Sequence, residues 1–265
     1  MAGHMIVNYM NSLPDVKVFF TSRNKLNKKA IYLEASNFGL LEEIIKDVKP
    51  NLVVNSIGII NKLVEEKGEE KVVLINSYLP HKLANICKMN NSKLIHLSTD
   101  CVFSGKKGMY TEQSNYSPTD FYGRSKALGE VNDPHNLTIR TSIIGPEIKR
   151  PKNGLFEWFL SQKGKDVEGY TNVIWSGVTT LELSKQIINL YREDVSGLIN
   201  LVSKPISKYF LLNLIKDVYG LNVLINPNND LRCNRSMKSL RNVKYFIPSH
   251  EQMLIELKKF YEKNV

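Results

Sequence analysis

Two short clusters carry side chains able to do proton chemistry together: Ser98-Thr99-Asp100, and further on Tyr122-Gly-Arg-Ser-Lys126. Tyr122 and Lys126 are four residues apart, so on a helix they share one face. An ammonium beside a phenol favours the phenolate, which is expected to bring Tyr122 down from its ordinary value of about 10. A phenol so placed can protonate a carbonyl oxygen while hydride reaches the carbonyl carbon. A hydroxyl on Thr99 can donate to the same oxygen and stabilise the charge that develops there. Tyr-x-x-x-Lys alone is short enough to arise as an ordinary surface pair. It gains weight from the Ser-Thr-Asp upstream and from the elements around both. Thr99, Tyr122 and Lys126 are therefore the expected catalytic residues.

Those elements alternate. Val16–Phe20, Ile31–Leu33, Leu52–Asn55, Lys93–Ser98 and Asn136–Thr141 read as strands, rich in Val, Ile, Leu and Phe. Met5–Ser12, Phe38–Val48, Lys71–Met89 and Gly123–Val131 read as helices between them. Such a succession predicts an α/β fold, a doubly wound parallel sheet with helices on both faces. Strand carboxyl ends line the ligand crevice of such a sheet, which is where Thr99 would stand. After Ile144 the rhythm changes. Residues 1–145 are expected to form a dinucleotide-binding domain and 146–265 a smaller substrate-binding region, parts of which pack back on the sheet. Its helices are expected at Leu155–Gln162, Thr180–Tyr191, Lys208–Tyr219 and His250–Lys263.

The opening departs from this plan. A dinucleotide-binding unit begins with an apolar strand and a glycine-rich turn, whereas Met1-Ala2-Gly3-His4 runs straight into a helical pattern. The expectation is that the first strand and leading glycines are missing, through a misplaced start, a truncation or a degenerate gene. Gly3 then reads as the last glycine of the turn and as a cofactor-binding position.

The motifs together resemble a known family. Leu97-Ser-Thr-Asp-Cys-Val-Phe-Ser-Gly-Lys-Lys-Gly108, Tyr110-Thr-Glu112, Tyr122-Gly-Arg-Ser-Lys-Ala-Leu-Gly-Glu130 and Arg140-Thr-Ser142 are similar, in that order, to the dTDP-4-dehydrorhamnose reductases. These belong to the extended short-chain dehydrogenases. The resemblance implies a Rossmann-like fold and NADPH-dependent reduction of the C4 keto group of a nucleotide-diphospho-4-keto-6-deoxy sugar, for surface polysaccharides. It puts Thr99, Tyr122 and Lys126 in the catalytic places, with Tyr122 and Lys126 also at the cofactor. It puts Asp100, Val102 and Thr141 along the substrate pocket. Asn55-Ser56-Ile57-Gly58 is similar to the family's Asn-led loop at the nicotinamide ribose, which makes Asn55 and Gly58 cofactor-binding positions. Asn76 matches a structural asparagine. Cys101 stands where the family usually has tyrosine and reads as a passive pocket wall, since no His or Lys adjoins it to activate a thiol. Reduction of a UDP-linked 4-keto-hexosamine is the nearest rival, since only the pocket would differ, and the same resemblance extends to the non-catalytic regulatory subunit of methionine adenosyltransferase; both alternatives stay open. Magnesium is implied for some members, with no residue here to assign it to, and a homodimer is compatible with the superfamily.

Two more positions come from the residues themselves. Arg23 follows the strand Val16–Phe20 where an NAD-specific site would place an acid, and an arginine there suits the 2′-phosphate of NADPH over NADH. Trp158 sits in an apolar helical pattern and reads as core, while Trp175 lies in a polar stretch and is a substrate-pocket candidate.

Bulk properties exclude more than they assign. The net charge is +10, but the basic residues are dispersed along 265 residues, so nucleic acid is not an expected partner. No apolar run is long enough to span a bilayer. Three scattered cysteines make neither a disulfide framework nor a zinc site, and the histidines show no metal-ligand spacing. A cytoplasmic protein is the expectation.

Overall fold

The computed structural model describes residues 1–148, 151–152 and 154–264. The chain opens with α1 (Ala2–Asn11), β1 (Thr21–Ser22), β2 (Ile31–Tyr32), α2 (Phe38–Val48) and β3 (Leu52–Asn55). It continues through α3 (Val64–Lys67), α4 (Glu69–Val73), α5 (Leu79–Met89), β4 (Lys93–Thr99), α6 (Phe121–Leu128) and β5 (Leu137–Thr141). Then come β6 (Ile143–Ile144), α7 (Leu155–Leu160), β7 (Asp166–Tyr170), β8 (Val173–Trp175), β9 (Val178–Thr179), α8 (Thr180–Arg192) and β10 (Gly197–Asn200). The remainder is β11 (Ile206–Ser207), α9 (Lys208–Tyr219), β12 (Leu224–Asn228), β13 (Cys233–Asn234) and α10 (His250–Asn264).

The central sheet has the order β10-β5-β4-β3, with every pair parallel. Alternation along β4 explains its two layers. Leu94 packs with Leu41 and Ile45 of α2 and with Leu83 and Ile86 of α5. Its neighbour Ile95 packs on the other face with Ile6 and Met10 of α1 and with Leu183 and Ile187 of α8. Successive strand residues point to opposite sides, so a buried strand serves two cores at once. A third core joins α7, α9 and α10 to β7 and β8. β10 comes from the C-terminal part of the chain yet pairs with β5, so the last third contributes a strand to the central sheet.

Two elements differ from the sequence pattern. Val16–Phe20 is expected as a strand, but pairing is confined to Thr21–Ser22 with Ile31–Tyr32, extended by the Ile31 N–H donating to the Phe20 carbonyl. β1 and β2 form a two-stranded sheet apart from the central one. Val16 and Val18 lie partly buried against the core that contains α1, while Phe19 is half exposed. Apolar alternation marks a face to bury, but a strand also needs a neighbour's backbone. The helix expected over Lys71–Met89 is divided: a π-helical turn, Leu74–Tyr78, separates α4 from α5. Pro80, in the first turn of α5, has no N–H to offer the carbonyl of Asn76. That carbonyl faces Gly129 instead, so closely that a Cβ on Gly129 would lie 1.9 Å from its oxygen.

Candidate active site

β4 ends at Thr99, and α6 begins beside it because Asp120 caps the helix, its Oδ1 accepting the Gly123 N–H at 2.6 Å. Gly123 allows the approach: a Cβ there would stand 2.3 Å from the Cys101 carbonyl oxygen. The cap and the missing side chain together seat the first turn of α6 against the end of β4. Tyr122 thereby comes near Thr99, whose hydroxyl acts to lower the value of the phenol. The Thr99 hydroxyl also donates to Asp100 Oδ1 at 3.2 Å and accepts from the Cys101 N–H at 3.2 Å.

The electrostatics differ from the sequence expectation in one respect. Burial raises the Tyr122 phenol above its ordinary value, with the Cys101 thiol and the Asp100 carboxylate adding to the rise and Thr99 opposing it. The Lys126 amine is turned into the sheet, where Nζ donates to the Leu97 carbonyl at 2.7 Å and stands 3.2 Å from His96 Nε2. Burial lowers Lys126 to about 8. The ammonium is thus not what sets the phenol; removal of Tyr122 from water outweighs it. Burial also raises the Asp100 carboxyl and pushes the Cys101 thiol up to about 12, the latter with help from Asp100. A thiol so high is a weak nucleophile, in keeping with a passive role for Cys101.

Behind these groups lies polar wiring in which the sequence pattern left His96, Glu130 and Arg140 without a role. His96 is fully buried, with Asn55 Nδ2 3.1 Å from its Nδ1, and burial holds it well below its ordinary value, hence neutral. Asn55 Oδ1 accepts the Ile57 N–H at 3.1 Å, so its side chain shapes the loop that follows β3. Asn76 fixes the same loop, accepting the Ile59 N–H at 2.8 Å and donating to the Ile59 carbonyl and to Ser125. Glu130 receives Arg140 in a two-toothed pair (Nε to Oε1 at 2.8 Å, Nη2 to Oε2 at 2.7 Å), together with Ser98 and Tyr116. Both side chains of the pair are 1% exposed. Glu130 and Arg140 belong to the motif stretches, and a buried partner of opposite charge was the signal available for pairing them. Glu112 does comparable work at β10, accepting from the Asn200 N–H, Ser239 and the Leu240 N–H.

The remaining expected positions spread more widely. Gly3 lies in the first turn of α1, where a Cβ would come 2.9 Å from Ser56 Oγ, and a Cβ on Gly58 would stand 3.5 Å from Asn76 Oδ1. α1 therefore starts over the loop that leaves β3, and among the described residues no side chain caps its N-terminus. Arg23 is exposed just after β1. Thr141 ends β5 beside Thr99 in the register and is buried. Val102 is buried in a cluster with Phe103, Tyr110 and Met237, while Asp100 and Cys101 are the residues of this segment that contact the Thr99 hydroxyl. Trp175 is 3% exposed within the third core, its indole nitrogen without a hydrogen-bond partner among the described residues and the Lys208 ammonium 5.1 Å from its ring centroid. Lys208 and Arg235, which approach Asp100 from the C-terminal part, carried no motif and were not anticipated.

Among the described residues no group of three or more His, Cys, Asp or Glu is placed to hold a metal ion, so magnesium has no ligand set and no step is assigned to it. No helix of the described residues is long and apolar enough to cross a membrane. The residues present fit a nicotinamide nucleotide at the start of α1, which among the described residues has no side-chain cap and stands over small residues, as suits a pyrophosphate.

A parallel central sheet with helices on both faces defines a Rossmann-type α/β fold. Residues 17–152 match the RmlD substrate binding domain family, and the chain belongs to that family. It is 31% identical over 156 residues to dTDP-4-keto-6-deoxy-D-glucose reductase of Streptomyces niveus, covering 56% of this chain and 54% of that protein. The chain spans about half the length, or less, of the curated relatives it matches. Among solved structures, a dTDP-4-dehydrorhamnose reductase from Clostridium acetobutylicum superposes with a TM-score of 0.79 at 19% identity, over 98% of this chain and 96% of that one. A dTDP-4-dehydrorhamnose reductase from Bacillus anthracis, in complex with NADP, gives 0.74 at 18% identity, over 92% and 98%. At these identities the likeness is one of fold.

Proposed function

We propose that this chain reduces the C4 keto group of a nucleotide-diphospho-4-keto-6-deoxy sugar, of the dTDP-4-dehydrorhamnose type, with NADPH. The observation that carries the reading is that Tyr122 is held near Thr99 at the carboxyl end of β4 by Gly123 and the Asp120 cap, with Lys126 one turn further along α6 donating to the Leu97 carbonyl of the same strand. Family membership and the reductases among the relatives support it.

When bound, the nicotinamide nucleotide supplies the hydride. Lys126 and the Asn55–Gly58 loop would hold its nicotinamide ribose, the start of α1 its pyrophosphate, and Arg23 its 2′-phosphate. The chain's own residues handle the oxygen and the proton. The Thr99 hydroxyl, now donating to Asp100, turns its hydrogen to the carbonyl oxygen as negative charge grows there. Tyr122 then gives that oxygen its proton. A phenol raised by burial suits this direction of reaction, because it stays protonated at neutral pH until a stronger base forms beside it. Asp100, freed from Thr99, can accept from a sugar hydroxyl.

Tyr122→Phe tests the reading. Turnover of a dTDP-4-keto-6-deoxy sugar is expected to fall roughly 10²–10⁴-fold, with NADPH affinity retained. Undiminished turnover would remove the proposed proton donor. Assaying a UDP-linked 4-keto-hexosamine alongside identifies the sugar class, and equal or better use of NADH would overturn the NADPH preference.

A further inference from the structure

His96 stands at the back of the site, and the chemistry above gives it no part. It is fully buried on β4, and the register sets Asn55 of β3 beside it on one neighbouring strand and Thr138 of β5 on the other. The Thr138 hydroxyl is committed to Val131, donating to its carbonyl at 2.6 Å and accepting its N–H at 3.1 Å. Each ring nitrogen of His96 has one polar neighbour among the described residues. Asn55 Nδ2 lies 3.1 Å from Nδ1, and Lys126 Nζ lies 3.2 Å from Nε2. Few charged groups act on this pair. Glu130, itself bound to Arg140, favours the Lys126 ammonium, while Lys126 and the exposed His81 of α5 disfavour an imidazolium. Asp100, Asp120 and the Cys101 thiol act on Tyr122 of the same helix, and Glu69, Glu70 and Lys71 of the neighbouring α4 are exposed.

These contacts fix where the hydrogens sit. Asn55 Oδ1 accepts the Ile57 N–H at 3.1 Å, so the amide nitrogen is the end that meets the ring, and an amide nitrogen can only donate. His96 Nδ1 therefore accepts. Burial holds the ring neutral, so its single hydrogen sits on Nε2 and points at Lys126 Nζ. An ammonium has no lone pair and cannot accept it. A neutral amine can: its lone pair takes the Nε2 hydrogen, and one of its own hydrogens goes to the Leu97 carbonyl at 2.7 Å. Burial brings Lys126 to about 8, so both forms of the amine are within reach near neutral pH. The charged form needs Nε2 as an acceptor, which puts the ring hydrogen on Nδ1. Asn55 must then turn its oxygen to the ring, and the Ile57 N–H is left facing an amide nitrogen.

We propose that His96 is a positioning residue that couples the proton on Lys126 to the loop after β3. Protonation of the amine moves the ring hydrogen from Nε2 to Nδ1, turns the Asn55 amide and frees the Ile57 N–H. The net change is one proton taken from water onto Nζ; the ring exchanges its hydrogen and stays neutral throughout. The freed segment includes Ser56, which lies against Gly3, so the state of one buried amine reaches the start of α1. The coupling stands without the reductase reading. Under that reading Lys126 and this loop hold the same nicotinamide ribose, so one proton governs both of its holders.

The test is magnetic resonance of the full chain without ligand, labelled with 15N in histidine and isoleucine and with 13C in lysine, across the Lys126 titration. The ring nitrogens of His96 are expected to report the Nε2–H form on the basic side and the Nδ1–H form on the acidic side, with no imidazolium between. The Ile57 amide should move with the same midpoint as Lys126. His96→Gln removes the ring that links the two, so the Ile57 amide should cease to follow. The Lys126 midpoint should then rise by about half to one pH unit, since protonation no longer costs that hydrogen bond. Asn55→Asp, whose carboxylate can only accept, should hold His96 in the Nδ1–H form on both sides. A single tautomer throughout the titration of the parent overturns the coupling, as does a tautomer that still switches in Asn55→Asp. An Ile57 amide that ignores Lys126, or that follows it equally in His96→Gln, overturns it too. Should His96→Gln not fold, the parent and Asn55→Asp decide the matter. A switching tautomer without keto-sugar turnover would keep the coupling and remove the reductase. Turnover with a fixed tautomer would remove the coupling alone.

Discussion

The two walls that meet at Asp100 are built on different plans. On the sheet side, polar groups are committed to one another: Lys126 to Leu97 and His96, His96 to Asn55, and Glu130 to Arg140, Ser98 and Tyr116. One nitrogen of this set, Arg140 Nη1, lacks a partner, and its guanidinium lies over the rings of Phe103 and Tyr116, about 5 Å from each. On the side of β8, β11 and β13, the Lys208 ammonium, the Trp175 indole nitrogen and Arg235 Nε have no hydrogen-bond or ion-pair partner among the described residues. The first wall spends its polar atoms holding a reacting set in place. The second carries polar atoms that the fold itself does not use.

If that contrast is right, removing charge should hurt one wall and spare the other. Arg140→Met leaves Glu130 buried without its counter-charge, so a loss of about 3–5 kcal/mol is expected, read from urea unfolding. A smaller loss would mean that water reaches the pair and that the sheet-side wiring is looser than drawn. Gly123→Ala comes next. Its new methyl meets the Cys101 backbone, which cannot swing aside as a side chain would. A cost of about 1–3 kcal/mol is expected, and turnover should fall further than stability explains, because Tyr122 and Lys126 move with the turn.

Lys208→Met is expected to leave the melting temperature unchanged or to raise it, since a desolvated charge without a partner is removed. A drop comparable to that of Arg140→Met would erase the distinction between the walls. The smallest effect is a titration. Burial lowers both Lys126 and Lys208 to about 8, so two lysine signals should titrate there in spectra of the 13C-lysine-labelled protein. Each should vanish in its own methionine variant. Below about 8 both amines are charged in the folded chain, and unfolded lysines keep their protons to about 10.5. The unfolded state therefore binds more protons across that interval, and the contribution of these two groups to stability rises with pH through it. The buried Cys87 and Cys101 thiols, raised to about 12, act in the opposite direction from about 9 upward.

Much of the sheet-side wall was legible in the chain. Lys93–Ser98, Leu52–Asn55 and Phe38–Val48 are strong local patterns, and the structure reproduces them to within a residue. The pair Tyr122 and Lys126 needs only one helical turn to share a face, which spacing alone specifies. Val16–Phe20 shows where such reasoning stops, because its pairing depends on a neighbour and not on its own pattern. The split of Lys71–Met89 had a local cause in Pro80, and the consequence was readable only once Gly129 stood against the freed carbonyl.

By itself, then, the sequence determined the order of strands and helices, the faces they bury, and the presence of a threonine, a tyrosine and a lysine at fixed short separations. These are properties of neighbours along the chain, and the rise per residue converts them directly into geometry. Only the tertiary structure decided that the phenol is raised, that Lys126 turns towards Leu97 and His96, that Glu130 pairs with Arg140, and that Lys208 and Arg235 face Asp100. Burial and charge pairing depend on which distant segments meet. Residues 100, 208 and 235 come together through the pairing of β8, β11 and β13, which no local pattern records.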